Sequence, residues 1–282
     1  MAGFFGLFNY EKEGPGVSKD APKKRGIFRF FEFYFRNFWR LITVNLVHTL
    51  VCLPIVTNGL AQVGVTNVAR NIARDKHSLG VSDFIDTIKK NWKQALPAGI
   101  INILIYIILI FDIWFFNQMK SGIFSTICLA VAFLLLFFLT IMNYYIWTMM
   151  ITFKFTLKQI YSNSFKFVII NMKYNLLCFF VLLLVNAIYV GILFLVQGYW
   201  LMALMIEGMV YLLTYPAFRA LLIQFCTFPS IKKYIIDPYY EEHPDEDVQK
   251  RMDLGIDVET PKKVVAEGEE GEEEEPENVF ED

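Results

Sequence analysis

The sequence predicts an all-α, polytopic membrane helical bundle: about six membrane helices arranged as three hairpins, with interfacial amphipathic helices beside them. Three observations predict it. The 282 residues are 55% hydrophobic and only 19% charged, against about 25% charged in ordinary globular chains. Apolar segments fall at about 41–56, 58–73, 95–116, 122–152, 175–196 and 200–225, and a membrane crossing needs about 20 mostly apolar residues. The bases gather between alternate segments, as the positive-inside rule requires.

Residues 1–26 read as a cytoplasmic arm, rich in turns at Gly14-Pro15-Gly16 and basic at Lys23-Lys24-Arg25. From 27 to 40, Phe28, Phe31, Phe35 and Phe38 recur at helical spacing among Arg29, Arg36 and Arg40. That pattern suits an interfacial helix with rings at headgroup level, or the first turns of the first span. The apolar helix that follows ends at Pro54, which has no N–H for an i→i−4 bond. Thr57 and Asn58 are placed to cap the next helix. That second segment is short, because Arg70 and Arg74 close it; it reads as tilted or half-depth, with its arginines snorkelling to the surface. Next, Ser82 is placed to cap an amphipathic helix with Phe84, Ile85, Ile88 and Trp92 on one face and Asp83, Asp86, Lys89, Lys90 and Lys93 on the other. Such a helix lies on the bilayer or docks a partner. The third to sixth segments are long enough to cross outright, with a loop at 154–173 between the fourth and fifth.

Charge fixes the segment count. Eight bases precede the first segment, six lie in 70–93, four in 154–173 and three at the last helix end, while Lys120 alone falls on the other side. If the second segment did not return, the 70–93 bases would face outward. The expectation is therefore six membrane segments with both termini cytoplasmic. Domain bounds follow: an arm at 1–26, a membrane domain at 27–236 and an acidic tail at 237–282. The tail holds nineteen acids and four bases, so the near-neutral total of −2 hides a basic body. Its Glu-rich composition cannot bury enough apolar surface to fold alone. The body's bases are split among apolar segments, which reads as membrane-flanking charge and not as a nucleic-acid surface.

Each hairpin has a similar lead-in: Asn37-Phe38-Trp39-Arg40-Leu41, Asn91-Trp92-Lys93-Gln94-Ala95-Leu96 and Asn171-Met172-Lys173-Tyr174-Asn175-Leu176. A ring or thioether at the boundary and a cation at the phosphates make a membrane anchor. Duplication and convergence both produce it, and the unequal spacing of the leads speaks for convergence.

Catalytic signatures such as a P-loop, G-x-S-x-G or H-E-x-x-H do not occur, so the chain reads as non-enzymatic. His48, His77 and His243 fall in a span, a loop and the tail. Cys52, Cys128, Cys178 and Cys226 lie in or beside apolar runs with no C-x-x-C, as core or lipid-facing residues. No metal or cofactor is implied. Ionisable residues inside spans are candidates for function. Asp112, Glu207 and Arg219 form the candidate intramembrane polar set. If the third and sixth segments are neighbours, Asp112 and Glu207 make an outward site for a cation or a polyol, with Trp114, Gln118, Gln197 and Trp200 nearby. The plainer readings are that Asp112 sits among headgroups, that Glu207 bonds a neighbouring helix, and that Arg219 snorkels or pairs locally. Asn45, His48 and Asn102 read as interhelical hydrogen-bonding residues. Phe84, Ile88, Lys89, Lys90, Trp92 and Lys93 form the candidate partner or membrane-surface helix.

The turn Leu53-Pro54-Ile55-Val56-Thr57-x-Gly59, and Ser82-Asp83-Phe84 leading to Asn91-Trp92-Lys93-Gln94-Ala95, resemble the YesL family of bacterial membrane proteins, a domain of unknown function. Phe8-Asn9-Tyr10 with Gly14-Pro15-Gly16-Val17 resembles the start of its members. The resemblance covers roughly residues 4–240. Asn58 departs from it, where the family more often has an apolar residue. The resemblance implies a multi-pass protein of the bacterial cytoplasmic membrane, associated with carbohydrate transporters of the ATP-binding-cassette (ABC) type and without established catalytic residues. The expected function is an accessory or regulatory component beside such a transporter, with its ABC subunits as partners and the bilayer as surroundings. The alternatives are an autonomous small-solute transporter with a site around Glu207, and a membrane scaffold without a ligand.

Overall fold

The computed structural model describes residues 26–119, 122–195 and 199–242. Its described residues are helical, with no β-strand among them: α1 (Ile27–Arg36), α2 (Phe38–Cys52), α3 (Asn58–Ala73), α4 (Val81–Gln118), α5 (Ile123–Thr152), α6 (Leu157–Ile170), α7 (Met172–Leu195), α8 (Trp200–Ile231) and α9 (Asp237–Glu242). A 3₁₀ turn over Ile55–Thr57 joins α2 to α3, and a π-helical turn over Lys232–Ile236 joins α8 to α9. The N-terminal arm, Lys120, Gln197, His243 and the acidic segment 243–282 lie outside the described residues. The body runs on through α9, whose Tyr240 is buried in the core.

Three antiparallel hairpins are present: α2–α3, α4–α5 and α7–α8. Four helices are long and apolar enough to cross a membrane: α4, α5, α7 and the helical stretch that starts at Trp200. The first hairpin differs. α2 has 15 residues, about 22 Å of helix. α3 is largely buried, with ten of its sixteen residues inside the protein. It packs between α2, α4, α5 and α8.

The depth of this hairpin follows from glycine contacts. A Cβ on Gly59 would stand 2.1 Å from the Ala95 carbonyl oxygen and 2.8 Å from the Gly99 Cα, and a Cβ on Gly64 would stand 2.6 Å from the Phe84 ring. α3 therefore runs backbone to backbone along the N-terminal half of α4, and its tip stops near Gly99. α4 continues nineteen residues further to Gln118, about 29 Å. The hairpins α4–α5 and α7–α8 form an apolar bundle above, while a compact base gathers α1, α3, α6 and the proximal halves of α4, α5 and α8. The six-segment expectation rests on α2 and α3, and neither has the length and apolar exposure of the other four.

Several local expectations are corrected. The amphipathic 82–93 stretch is not a separate surface helix: it is the first three turns of the 38-residue α4. Gly80, not Ser82, is the N-cap of α4. Asp83 instead braces the preceding loop, accepting from the Ser78 hydroxyl (2.8 Å) and the Leu79 N–H (2.9 Å). Thr57 gives no side-chain cap to α3; its hydroxyl turns back to the Val51 and Pro54 carbonyls and closes the turn. The 154–173 loop contains α6, started by a reciprocal capping box between Thr156 and Gln159.

Candidate functional site

Arg70 does not snorkel. It is 6% exposed, and its guanidinium donates to the Ile151 carbonyl (2.9 Å), the Thr152 hydroxyl (2.8 Å) and Asn67 Oδ1 (2.9 Å). The C-terminal carbonyls of a helix lack intrahelical partners and carry partial negative charge, so a buried cation at the end of α5 is well placed.

Pro216 interrupts the backbone bonding of α8. Asn45 on α2 answers it. Its Nδ2 donates to the Leu213 carbonyl (2.7 Å) and its Oδ1 accepts from the Ala217 N–H (2.8 Å), so one amide bridges two groups that a regular helix joins directly. Above it runs a polar chain. Arg219 donates to Gln62 Oε1 (3.3 Å), Gln62 donates to Asn58 Oδ1 (3.2 Å) and lies 3.4 Å from His48 Nε2, and Cys52 Sγ lies 3.8 Å from the His48 ring nitrogens. Arg219 thus pairs into the first hairpin. The sequence reading missed this cluster, although His48–Cys52 and Asn58–Gln62 are both i,i+4 pairs. Among the described residues no group of three or more His, Cys, Asp or Glu could hold a metal ion.

Asn102 likewise joins helices, donating to Asn143 Oδ1 (2.9 Å) while accepting from the Tyr161 hydroxyl (3.0 Å). Burial pushes the Tyr161 phenol up to about 12, so it stays a donor. The lead-in asparagines also act inside the protein. Asn171, at the α6–α7 junction, donates to the Tyr145 hydroxyl and the Cys226 carbonyl and accepts from the Ser230 hydroxyl.

The polar set Asp112, Glu207 and Arg219 is not gathered at one point. α4 packs on α3 and α5, whereas α8 packs on α2, α3 and α7. Asp112 is half-buried near the end of α4 and does not line the cavity that holds Glu207. Glu207 stands seven residues into α8, about 10 Å along its axis. Both of its carboxylate oxygens are buried without a hydrogen-bond partner among the described residues. It lines a cavity of about 590 Å³ between α7 and α8, together with Tyr189, Ile192, Tyr199, Met202, Ala203, Ile206 and Val210. Beneath lies a polar girdle. Asn186 donates to the Tyr215 hydroxyl (2.6 Å) and accepts from that of Tyr211 (3.0 Å), and the Tyr189 and Thr214 hydroxyls meet at 2.9 Å.

The 84–93 face is split by the fold. Phe84 is fully buried against Gly64, and Ile88 packs on the core. Lys89, Lys90, Lys93 and Trp92 are exposed, Trp92 at 49%. Lys90 also borders a polar cleft of about 230 Å³ with Arg70, Asn71, Asp83 and Asp86.

Fold and sites together define a polytopic α-helical membrane protein with a packed polar base and a buried, unpartnered carboxylate in the first half of α8. Residues 41–113 match the family described as protein of unknown function, DUF624. The match runs from α2 into the distal half of α4, and over it the resemblance read from Leu53–Gly59 and Ser82–Ala95 is a family match. No curated protein and no solved structure matches the chain.

Proposed function

We propose that this chain is a non-enzymatic accessory or regulatory component of a bacterial cytoplasmic membrane, working beside a carbohydrate transporter of the ABC type with both termini on the cytoplasmic side. The observation that carries the reading is the continuity of α4. Its 38 residues extend about 57 Å, against about 30 Å of bilayer hydrocarbon. The apolar distal part takes the hydrocarbon, so the first turns project beyond it along the axis of the span. Locked by Phe84 and Ile88, they cannot lie flat on the headgroups. Lys89, Lys90, Lys93 and Trp92 are then a rigid basic and aromatic face suited to an acidic surface on a partner's cytoplasmic side. Carbohydrate transport enters from what the family resemblance implies. Charge reversal at Lys89, Lys90 and Lys93 is expected to abolish co-purification of the ABC subunits while membrane insertion stays normal. Undiminished recovery of those subunits would sink the reading.

A second reading, an autonomous small-solute transporter, is favoured by one observation: the unpartnered carboxylate of Glu207 at the α7–α8 cavity. It predicts that Glu207→Gln abolishes flux in reconstituted vesicles without affecting insertion. A scaffold role without a ligand leaves that carboxylate without a purpose.

A further inference from the structure

We infer that the cleft between the ends of α7 and α8 nearest the base binds the phosphate headgroup of an anionic phospholipid, with Lys173, Lys233, Tyr174 and Tyr234 as its donors.

The third hairpin brings these residues together. Lys173 is the second residue of α7, and Lys233 stands just beyond the end of α8, two residues past Ile231. The two helices pack on each other, so residues far apart in the chain line one cleft of about 380 Å³. Lys233 and Tyr234 sit on the π-helical turn Lys232–Ile236, a form found frequently at functional sites. Asn171 and Ser230 also line the cleft and are already bonded to each other at 2.7 Å. No Asp or Glu lines it among the described residues.

The uncommitted groups select the ligand. Among the described residues, Lys173 and Lys233 form no hydrogen bond or ion pair. Lys233 lies instead over the Tyr234 ring, 5.4 Å from its centroid. The hydroxyls of Tyr174 and Tyr234, both half-exposed residues, have no partner there either. An ammonium only donates, and a phenol hydroxyl has one proton to give. The anionic oxygens of a phosphate diester only accept, and bonds to them from a cation are charge-assisted. Two cations and two hydroxyls on one cleft therefore match a phosphate in both charge and hydrogen bonding. A neutral polyol brings no charge to meet either lysine.

The surroundings select a lipid over a soluble phosphate. Ile170, Phe225 and Pro229 give the cleft an apolar side. Leu177, Phe180 and Leu184 follow Lys173 at helical spacing along α7, and all three are exposed. A lysine at the polar end of a span lies at headgroup depth, and basic pockets between membrane helices hold anionic headgroups. A lipid whose phosphate sits between the lysines can run its chains along that face of α7.

The test is native mass spectrometry of the purified full chain in detergent, titrated with phosphatidylglycerol and phosphatidylcholine of identical acyl chains. Two lysines should make the first phosphatidylglycerol bind at least about fivefold tighter than phosphatidylcholine. Lys173→Gln with Lys233→Gln should bring the two lipids within about twofold of each other. Lys173→Arg with Lys233→Arg should keep the preference. Lys154→Gln with Lys158→Gln, which removes the same charge from exposed positions outside the cleft, should keep it too. Equal binding of the two lipids by the parent chain would overturn the inference; that is also the outcome if the acidic segment 243–282 fills the cleft. A preference that survives the Lys173 and Lys233 glutamine pair would overturn it as well. So would an equal loss in the Lys154 and Lys158 pair, since net charge alone would then attract the lipid. Displacement of bound phosphatidylglycerol by millimolar inorganic phosphate would make this a soluble-phosphate site and end the lipid assignment.

Discussion

At the scale of single residues, the informative positions are polar groups that the fold places against broken or unfinished backbone. Asn45 occupies the gap opened by Pro216. Asn45→Leu keeps the volume and removes both bonds, leaving the Leu213 carbonyl and the Ala217 N–H without their side-chain partner. A loss of about 1–2 kcal/mol is expected, read from unfolding in mild detergent. In a Pro216→Ala background the direct 217-to-213 bond can re-form, so the same change should cost less than half as much. Equal costs in the two backgrounds would mean that Asn45 does not serve the proline break. Arg70→Met should cost roughly 1–3 kcal/mol, because it strands the Ile151 carbonyl and leaves the Thr152 hydroxyl only its own bond to the Thr148 carbonyl. Arg70→Lys should recover part of this, since an ammonium cannot reach both partners as the guanidinium fork does. Asn45 and Asn102 were legible as interhelical donors from their polarity within apolar runs. Arg70 was not. Whether an arginine near a helix end snorkels or is buried depends on what stands beside it, and the end of α5 comes eighty residues later in the chain.

At the scale of elements, the apolar segments were legible because length and composition suffice for α4, α5, α7 and α8. The bounds of α3 were legible because Pro54 and the Arg70–Arg74 pair frame it. The junction of the 82–93 stretch with the third segment was hidden. Charge ends at Lys93 and apolar residues begin at Ala95, a change of surroundings that looks like a change of element. The helix simply continues through it, and Pro97 falls inside it. α6 was hidden for another reason: Lys158, Asn163 and Lys166 dilute its apolar period, although Thr156 and Gln159 give the capping signature. The tightest element contact is α3 on α4 at Gly59 and Gly99. Gly99→Leu should separate the two backbones at a cost of about 1–3 kcal/mol from overpacking. It should also loosen the presentation of Lys89, Lys90 and Lys93 without touching them. The check is thermal stability in detergent together with partner co-purification. A variant as stable as the parent would show that the glycine contact is dispensable.

At the scale of the whole molecule, the unequal depth of the hairpins bears on how the chain sits in a bilayer. The charge argument required the 70–93 bases to lie on the same side as the N-terminal arm, and it brought them back through a first span and a short, tilted or half-depth second segment. A hairpin that enters and leaves through one face satisfies the same rule. The α2–α3 tip fits that description. Leu53, Ile55 and Val56 are all exposed and apolar, whereas the α4 end offers Asn117 and Gln118 to its surroundings. Exposed apolar residues at a tip suit hydrocarbon and not water. Non-helical backbone at membrane depth is tolerated where protein satisfies it. Here the Thr57 hydroxyl closes the turn onto the Val51 and Pro54 carbonyls. Single cysteines in a background lacking Cys52, Cys128, Cys178 and Cys226 test this directly. Gln118→Cys should react with a membrane-impermeant maleimide from one side of the membrane only. Val56→Cys should react from neither side, yet react with a lipid-soluble maleimide. Labelling of Val56→Cys from the same side as Gln118→Cys would instead establish six complete crossings. It would also require α4 to sink far enough that Lys89, Lys90 and Lys93 return to the headgroups, removing the projection on which the docking face depends.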